Sequence, residues 1–205
     1  MTKLVVGLIG QVCAGKSTVA EAFKRRGAAV YNADDAVREL YAQPGIVAQV
    51  RALFGGSVLD GHGRVDCHAL GRLVFNDPAR LRLLTEQVVF PRTREAIEGA
   101  IGRFRRSSVK VLLLDAPTLI ESGQAAVCDR LVFVAAPVER RREWARARGW
   151  PPGELEKRDA CLADDQEKRR AATAVIVNDG TLEDVQRHVD GLLAAWSGVE
   201  GNRKC

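Results

Sequence analysis

The sequence predicts an α/β fold: a single five-stranded parallel sheet flanked by helices. Three observations carry this expectation. Five short apolar runs are spaced along the chain, helical patterns separate them, and the first run passes through a glycine-bearing loop directly into a helix. Strands that alternate with helices in this way form a parallel sheet, because each return crossing needs a helix.

Lys3 to Ile9 is almost continuously apolar and short, as expected for a strand buried on both faces. Ser17 to Arg26 has helical character and stops at Gly27, a residue suited to ending a helix. Strands are expected again at Ala28 to Tyr31, Val109 to Leu114, Leu131 to Val134 and Ala174 to Val177. Between Tyr41 and Arg106 no strand pattern stands out. Asn76-Asp77-Pro78 reads as a helix start there, and Pro91 as a break or kink within a long helical stretch. A second charged stretch, Glu139 to Arg170, is divided by the turn Pro151-Pro152-Gly153. The last helix is expected to be capped by Thr181, with Leu182, Val185, Val189, Leu192, Leu193 and Trp196 forming its core face and a loose tail after Trp196. The predicted organisation is one domain. Its core is 1–40, 107–138 and 173–197, with a helical insertion at about 41–106 and a lid at about 139–172.

Gly10-Gln11-Val12-Cys13-Ala14-Gly15-Lys16-Ser17 matches GxxxxGK[ST] at every fixed position and lies between a strand and a helix. This is a P-loop, so the expected fold is that of the P-loop NTPases. Loop amides and the positive end of the helix dipole attract phosphate, Lys16 is expected to reach the β and γ groups, and Ser17 to ligate magnesium. The nucleotide is expected to be ATP.

The next strand ends at Asn32-Ala33-Asp34, on the edge of the sheet where ligands bind in open α/β folds. A carboxylate at Asp34 suits proton acceptance from, or positioning of, an attacking hydroxyl. An aspartate at such a boundary also suits a helix cap, and the residues leave both readings open. Asp115 closes the run Val111-Leu112-Leu113-Leu114, as an acid serving the magnesium shell or as an exposed strand-end carboxylate. The arginines from Arg140 to Arg148 read chiefly as a solvated helix face, with one or two positioned to close over phosphates.

Bulk composition excludes several classes. Hydrophobic residues at 46% and charged residues at 28% are those of a globular chain rather than a disordered one. No membrane-length apolar stretch or signal-cleavage pattern is present, so a cytoplasmic protein without membrane association is expected. The five cysteines are scattered without zinc spacing and read as reduced thiols. A net charge of +5 suits nucleic acid or phosphorylated small molecules, but with aromatics at only 5% the stacking surfaces of strand-binding proteins are missing. No nucleic-acid partner is expected.

The P-loop, Asp34 with Arg38, and Asp115-Ala116-Pro117-Thr118-Leu119-Ile120-Glu121 together resemble the dephospho-coenzyme A kinase family. Further likeness lies in Leu70 to Pro78, in Arg148-Gly149-Trp150 with Glu154-Leu155, and in Lys168 to Gly180, so that the resemblance covers nearly the whole chain. It implies a core like that of the nucleoside monophosphate kinases, with a helical coenzyme-binding insertion and an arginine-bearing lid. The implied reaction is transfer of the γ-phosphoryl of ATP to the ribose 3′-hydroxyl of dephospho-coenzyme A; the chain is expected to be a monomer. Carried over by position, Asp34 and Lys16 are catalytic. Gln11, Val12, Cys13, Ala14, Gly15, Lys16, Ser17, Thr18, Arg148 and Asn178 bind ATP; Asp34, Arg38, Asp115 and Pro117 bind the acceptor; and Ser17 holds Mg2+.

Four positions depart from the family pattern: Gln11 replaces its second loop glycine, Asn32 its first Asp of Asp-Ala-Asp, Phe90 its His before Pro91, and Leu162 a frequent lid glutamine. A positive φ at Gln11 would strain it by about 1 kcal/mol. The core motifs alone do not name the acceptor, so a kinase of another small alcohol and a non-catalytic nucleotide or coenzyme A binder are the alternative readings. A regulatory GTPase is disfavoured by the lack of an NKxD sequence.

Overall fold

In the computed structural model, which describes residues 2–197, strand β1 (Leu4–Gly10) is buried at every position. Helix α1 (Lys16–Arg25) follows the glycine loop and buries Val19, Ala20, Ala22 and Phe23. Its end is closed by two hydrogen bonds, Gly27 N–H to the Lys24 carbonyl at 2.9 Å and Ala28 N–H to the Phe23 carbonyl at 3.2 Å. That is the Schellman pattern, and it turns the chain into β2 (Ala29–Asn32). A helical stretch follows, with α2 (Ala33–Leu40), α3 (Pro44–Phe54), α4 (Cys67–Val74), α5 (Pro78–Leu84) and α6 (Phe90–Arg106). The chain then returns through β3 (Val111–Asp115) and β4 (Arg130–Ala135). Three helices, α7 (Val138–Ala147), α8 (Glu154–Asp159) and α9 (Asp165–Ala171), precede β5 (Ala174–Val177) and the closing helix α10 (Leu182–Ser197).

The sheet has the order β2-β3-β1-β4-β5. β1 lies at its centre and runs parallel to β3 and to β4, which in turn runs parallel to β5. All five expected strands are present, with their ends shifted by up to two residues. β1 and β3 are buried at every position, and their residues are accordingly apolar throughout except at Asp115. The main core gathers Val6, Leu8, Leu113, Val132, Val134 and Ile176 from the sheet with Phe23 and Val189 from α1 and α10. Phe23 stacks on Trp196, ring centroids 6.2 Å apart.

The closing helix is capped as its sequence suggests. Thr181 Oγ1 accepts from Asp184 N–H at 3.3 Å, and Asp184 Oδ2 accepts from Thr181 N–H at 2.7 Å. Val185 and Val189 are buried, while Leu182 is 46% exposed rather than part of the core face. It occupies the first helical position, ahead of the turn that reaches the sheet. Residues 198–205, which include the expected tail and Cys205, lie outside the described residues.

Two compact units divide the described chain, one of residues 2–31 with 100–197 and one of residues 32–99. The second has its own core of Leu40, Ile46, Val50, Val58, Leu70, Val74, Leu84 and Val88. Asp77 caps α5 by accepting from Ala79 and Arg80 N–H, as Asn76-Asp77-Pro78 predicts. The disturbance expected at Pro91 is a π-helical turn over Thr85–Val89. Proline lacks the N–H that would serve the carbonyl four residues back, Gln87. Gln49 Nε2 donates to that carbonyl instead, at 3.2 Å.

One glycine is fixed by the sheet itself. Gly10 has φ 149°, and a Cβ placed there would lie 2.2 Å from the Val134 carbonyl oxygen, its register partner on β4. Gly10→Ala is expected to cost about 3 kcal/mol, from a backbone region closed to other residues and an overlap with main chain that cannot rotate away. A urea unfolding curve with an unchanged midpoint would show this account of β1 to be wrong.

Candidate active site

The loop from Gly10 to Ser17 leaves the carboxyl end of the central strand, flanked by the ends of β3 and β4. Its turn is set by the bond from Ala14 N–H to the Gln11 carbonyl at 3.3 Å. Cys13 has φ 58° and is the one non-glycine residue with positive φ among the described residues. The strain contemplated for Gln11 therefore falls two residues later, at a buried side chain. Left-handed strain of this kind costs about 1–2 kcal/mol and persists only where surroundings hold it.

Gly15, in the left-handed region at φ 84°, starts α1. A Cβ on it would lie 2.2 Å from Asn178 Nδ2. That amide, buried at the end of β5, donates to the Ala14 carbonyl at 3.0 Å. Asn178 thus braces the loop from the neighbouring strand end. Lys16 Nζ is turned back on its own loop, donating to the Gln11 carbonyl at 2.9 Å and the Gly10 carbonyl at 3.5 Å. The ammonium is held against the loop by acceptors that a phosphate oxygen can replace.

A cleft of about 390 Å³ opens beside the loop, lined by Cys13, Gly15, Ser17 and Thr18 on one side and by Arg140, Trp144, Arg148 and Asn178 on the other. Its size falls within the roughly 300–1,000 Å³ of small-ligand sites. Of the residues expected to bind ATP, the structure brings Cys13, Gly15, Ser17, Thr18, Arg148 and Asn178 to this one cleft. Arg148 caps α7, and its Nη1 donates to Cys13 Sγ at 3.6 Å. Gln11, Val12, Ala14 and Lys16, also expected at the nucleotide, do not line the cleft.

The arginine run is not uniformly solvated. Arg141 is 7% exposed; its guanidinium donates to Asp159 Oδ2 at 2.6 Å and to the Val12 carbonyl at 3.3 Å. Arg140 donates to the Gly180 carbonyl at 2.9 Å and lies over the Trp144 ring. Sequence reasoning missed these partners, along with Lys168, which is 1% exposed and pairs with Glu121 at 3.3 Å. The local signal was available only as charge, which reads as solvent-facing until the fold closes over it.

Asp115 is 7% exposed at the end of β3, which removes the reading of an exposed strand-end carboxylate. Pro117 is half-buried in the segment that follows. Asp34 and Arg38 both lie on α2, in the unit of residues 32–99. Here the structure removes one of the two sequence readings of Asp34, the helix cap. The cap of α2 is Asn32, whose side-chain oxygen accepts from Asp35 N–H at 3.0 Å. Asp34 is exposed one position inside the first turn, with no capping task. Arg38 pairs with Asp35 at 2.5 Å in an exposed ion pair, an interaction of about 0–1 kcal/mol that a ligand can displace.

Among the described residues no group of three or more His, Cys, Asp or Glu side chains is gathered for a metal, and no helix is long and apolar enough to cross a membrane.

The family model for dephospho-CoA kinase matches residues 4–184. A dephospho-CoA kinase from Symbiobacterium thermophilum is 37% identical over 201 residues, covering 96% of this chain and 83% of that protein. One from Rhodopirellula baltica is 33% identical over 195 residues, covering 93% of this chain and 90% of that protein. The crystal structure of TT1252 from Thermus thermophilus superposes with a TM-score of 0.78 at 32% identity, covering 97% of this chain and all of that one.

Proposed function

The chain belongs to the dephospho-coenzyme A kinase family, and from that premise we propose that it transfers the γ-phosphoryl group of ATP to the ribose 3′-hydroxyl of dephospho-coenzyme A, yielding coenzyme A and ADP. The observation that carries this reading is the loop: Gly10 and Gly15 in conformations that exclude other residues, Asn178 bracing it, and the Lys16 ammonium folded back on it. A triphosphate fits such a cradle, because backbone amides and the helix dipole at the start of α1 favour negative charge without any further group.

In this reading Lys16 carries positive charge to the β and γ phosphates, and Arg148 and Arg140 add charge from the far wall of the cleft. Asp34 accepts the proton of the 3′-hydroxyl as its oxygen bonds to the γ-phosphorus, and the bond from that phosphorus to the β-phosphate bridging oxygen breaks to release ADP. Arg38, Asp115 and Pro117 position the acceptor. Ser17 is the residue that would hold Mg2+, which would supply charge neutralisation along the phosphates.

A coupled assay of ADP release tests the acceptor, with ATP, magnesium and a panel of dephospho-coenzyme A, nucleosides and sugar acids. Turnover with dephospho-coenzyme A well above the ATPase background is the expected result. Faster turnover with another alcohol would reassign the substrate, and tight ATP binding without any turnover would make the chain a non-catalytic binder.

A further inference from the structure

The back of the phosphate loop, at Gln11 and Val12, is held by residues far away in sequence. Gln11 Nε2 donates to Asp165 Oδ2 at 2.5 Å, and Gln11 Oε1 accepts from Ala136 N–H at 3.0 Å. Both ends of one side chain are therefore engaged, one on α9 and the other just past β4. At the next residue Val12 N–H donates to Asp159 Oδ1 at 3.3 Å, while the Val12 carbonyl accepts from Arg141 at 3.3 Å. Arg141 and Asp159 are themselves paired. The same Gln11 carbonyl that receives Lys16 Nζ belongs to the residue whose side chain is fixed in this way.

We propose that Gln11 and Asp165, seconded by Arg141 and Asp159, form a latch that ties helices α7 to α9 to the phosphate loop and presets the loop for nucleotide. These are positioning residues, acting through the Gln11–Val12 peptide rather than on the reacting atoms. The physical reason is conformational. A loop fixed before binding loses less freedom when the triphosphate arrives, so severing the latch weakens nucleotide binding and loosens the helices at the same time. One acceptor and one donor on the same amide side chain also fix its orientation, with the NH2 group toward the Asp165 carboxylate and the oxygen toward Ala136 N–H.

The proposal rests on the loop being the nucleotide site, and its test separates the two ideas. A double-mutant cycle is built from Gln11→Ala and Asp165→Ala, read as the KM for ATP and as hydrogen exchange of the nucleotide-free protein over residues 138–171. Each single variant is expected to raise the KM about 3- to 30-fold, with kcat reduced less, and to speed exchange in that segment. Contacting residues couple, so the double variant should cost little more than either single one. Asp165→Asn keeps an oxygen to receive the Gln11 amine and should recover most of the loss. Multiplying effects in the double variant, an unchanged KM, or Asp165→Asn behaving like Asp165→Ala would overturn the latch. Absence of ATP binding by the unmutated protein would instead remove the nucleotide reading.

Discussion

Lys16→Ala is expected to reduce phosphoryl transfer by about 100-fold or more, the usual scale for losing a group that stabilises charge in the transition state. The side chain is half-buried, and its ammonium donates to two carbonyls of its own loop, those of Gln11 and Gly10. It is not among the residues of the main core. Alanine is also the most favourable residue in a helix, and position 16 is the first of α1. Fold and melting temperature should therefore survive while turnover collapses. Circular dichroism and the coupled assay on the same sample separate the two. A fully active Lys16→Ala protein would refute the assignment of Gly10 to Ser17 as the phosphate site.

The second large effect belongs to Asp34. Positioned bases contribute about 100- to 10,000-fold, so Asp34→Asn should lower turnover by that order while ATP affinity changes little. The structure sharpens the experiment, because Asn32 already performs the capping of α2 and Asp34 is exposed within the first turn. A carboxylate there favours the helix dipole by about 0.3–1 kcal/mol, too little to unfold the unit when it is replaced by the neutral isostere. Asp35 is the neighbouring acid, paired with Arg38 and bonded through its N–H to Asn32. Asp35→Asn serves as the comparison, and it should retain most of the turnover. If Asp34→Asn stays near the unmutated rate, the acceptor hydroxyl is activated by another group.

How much of this was legible in the sequence follows from the range of the interactions concerned. The strand, loop and helix around Gly10 to Ser17 were legible because each is determined by residues within a few positions: an apolar run, two glycines and a lysine. Gly27 and Thr181 were legible for the same reason, since helix ends are closed by neighbours. Gln11 was visible only as a departure from a family glycine. Its partner Asp165 stands 154 residues away, and nothing local announces that bond. Lys168 lies in a run of basic residues, Lys168-Arg169-Arg170, that reads as a solvated face. One turn of α9 instead delivers it to Glu121 in the interior. Leu182 fails in the other direction, because its spacing fits the apolar stripe while its place at the helix start lines the cleft. The insertion near Pro91 was read as a break, and the structure resolves that break into a π-helical turn with Gln49 supplying the missing donor.

The account turns on which oxygen receives the phosphoryl group. Phosphorus and proton NMR of the product made by the unmutated protein from ATP and dephospho-coenzyme A answers this directly. The account predicts one new phosphomonoester, coupled to the ribose 3′ proton, formed in step with ADP. A phosphate coupled to the 2′ position, one on the pantetheine hydroxyl, or ADP formed without a phosphorylated acceptor would contradict it.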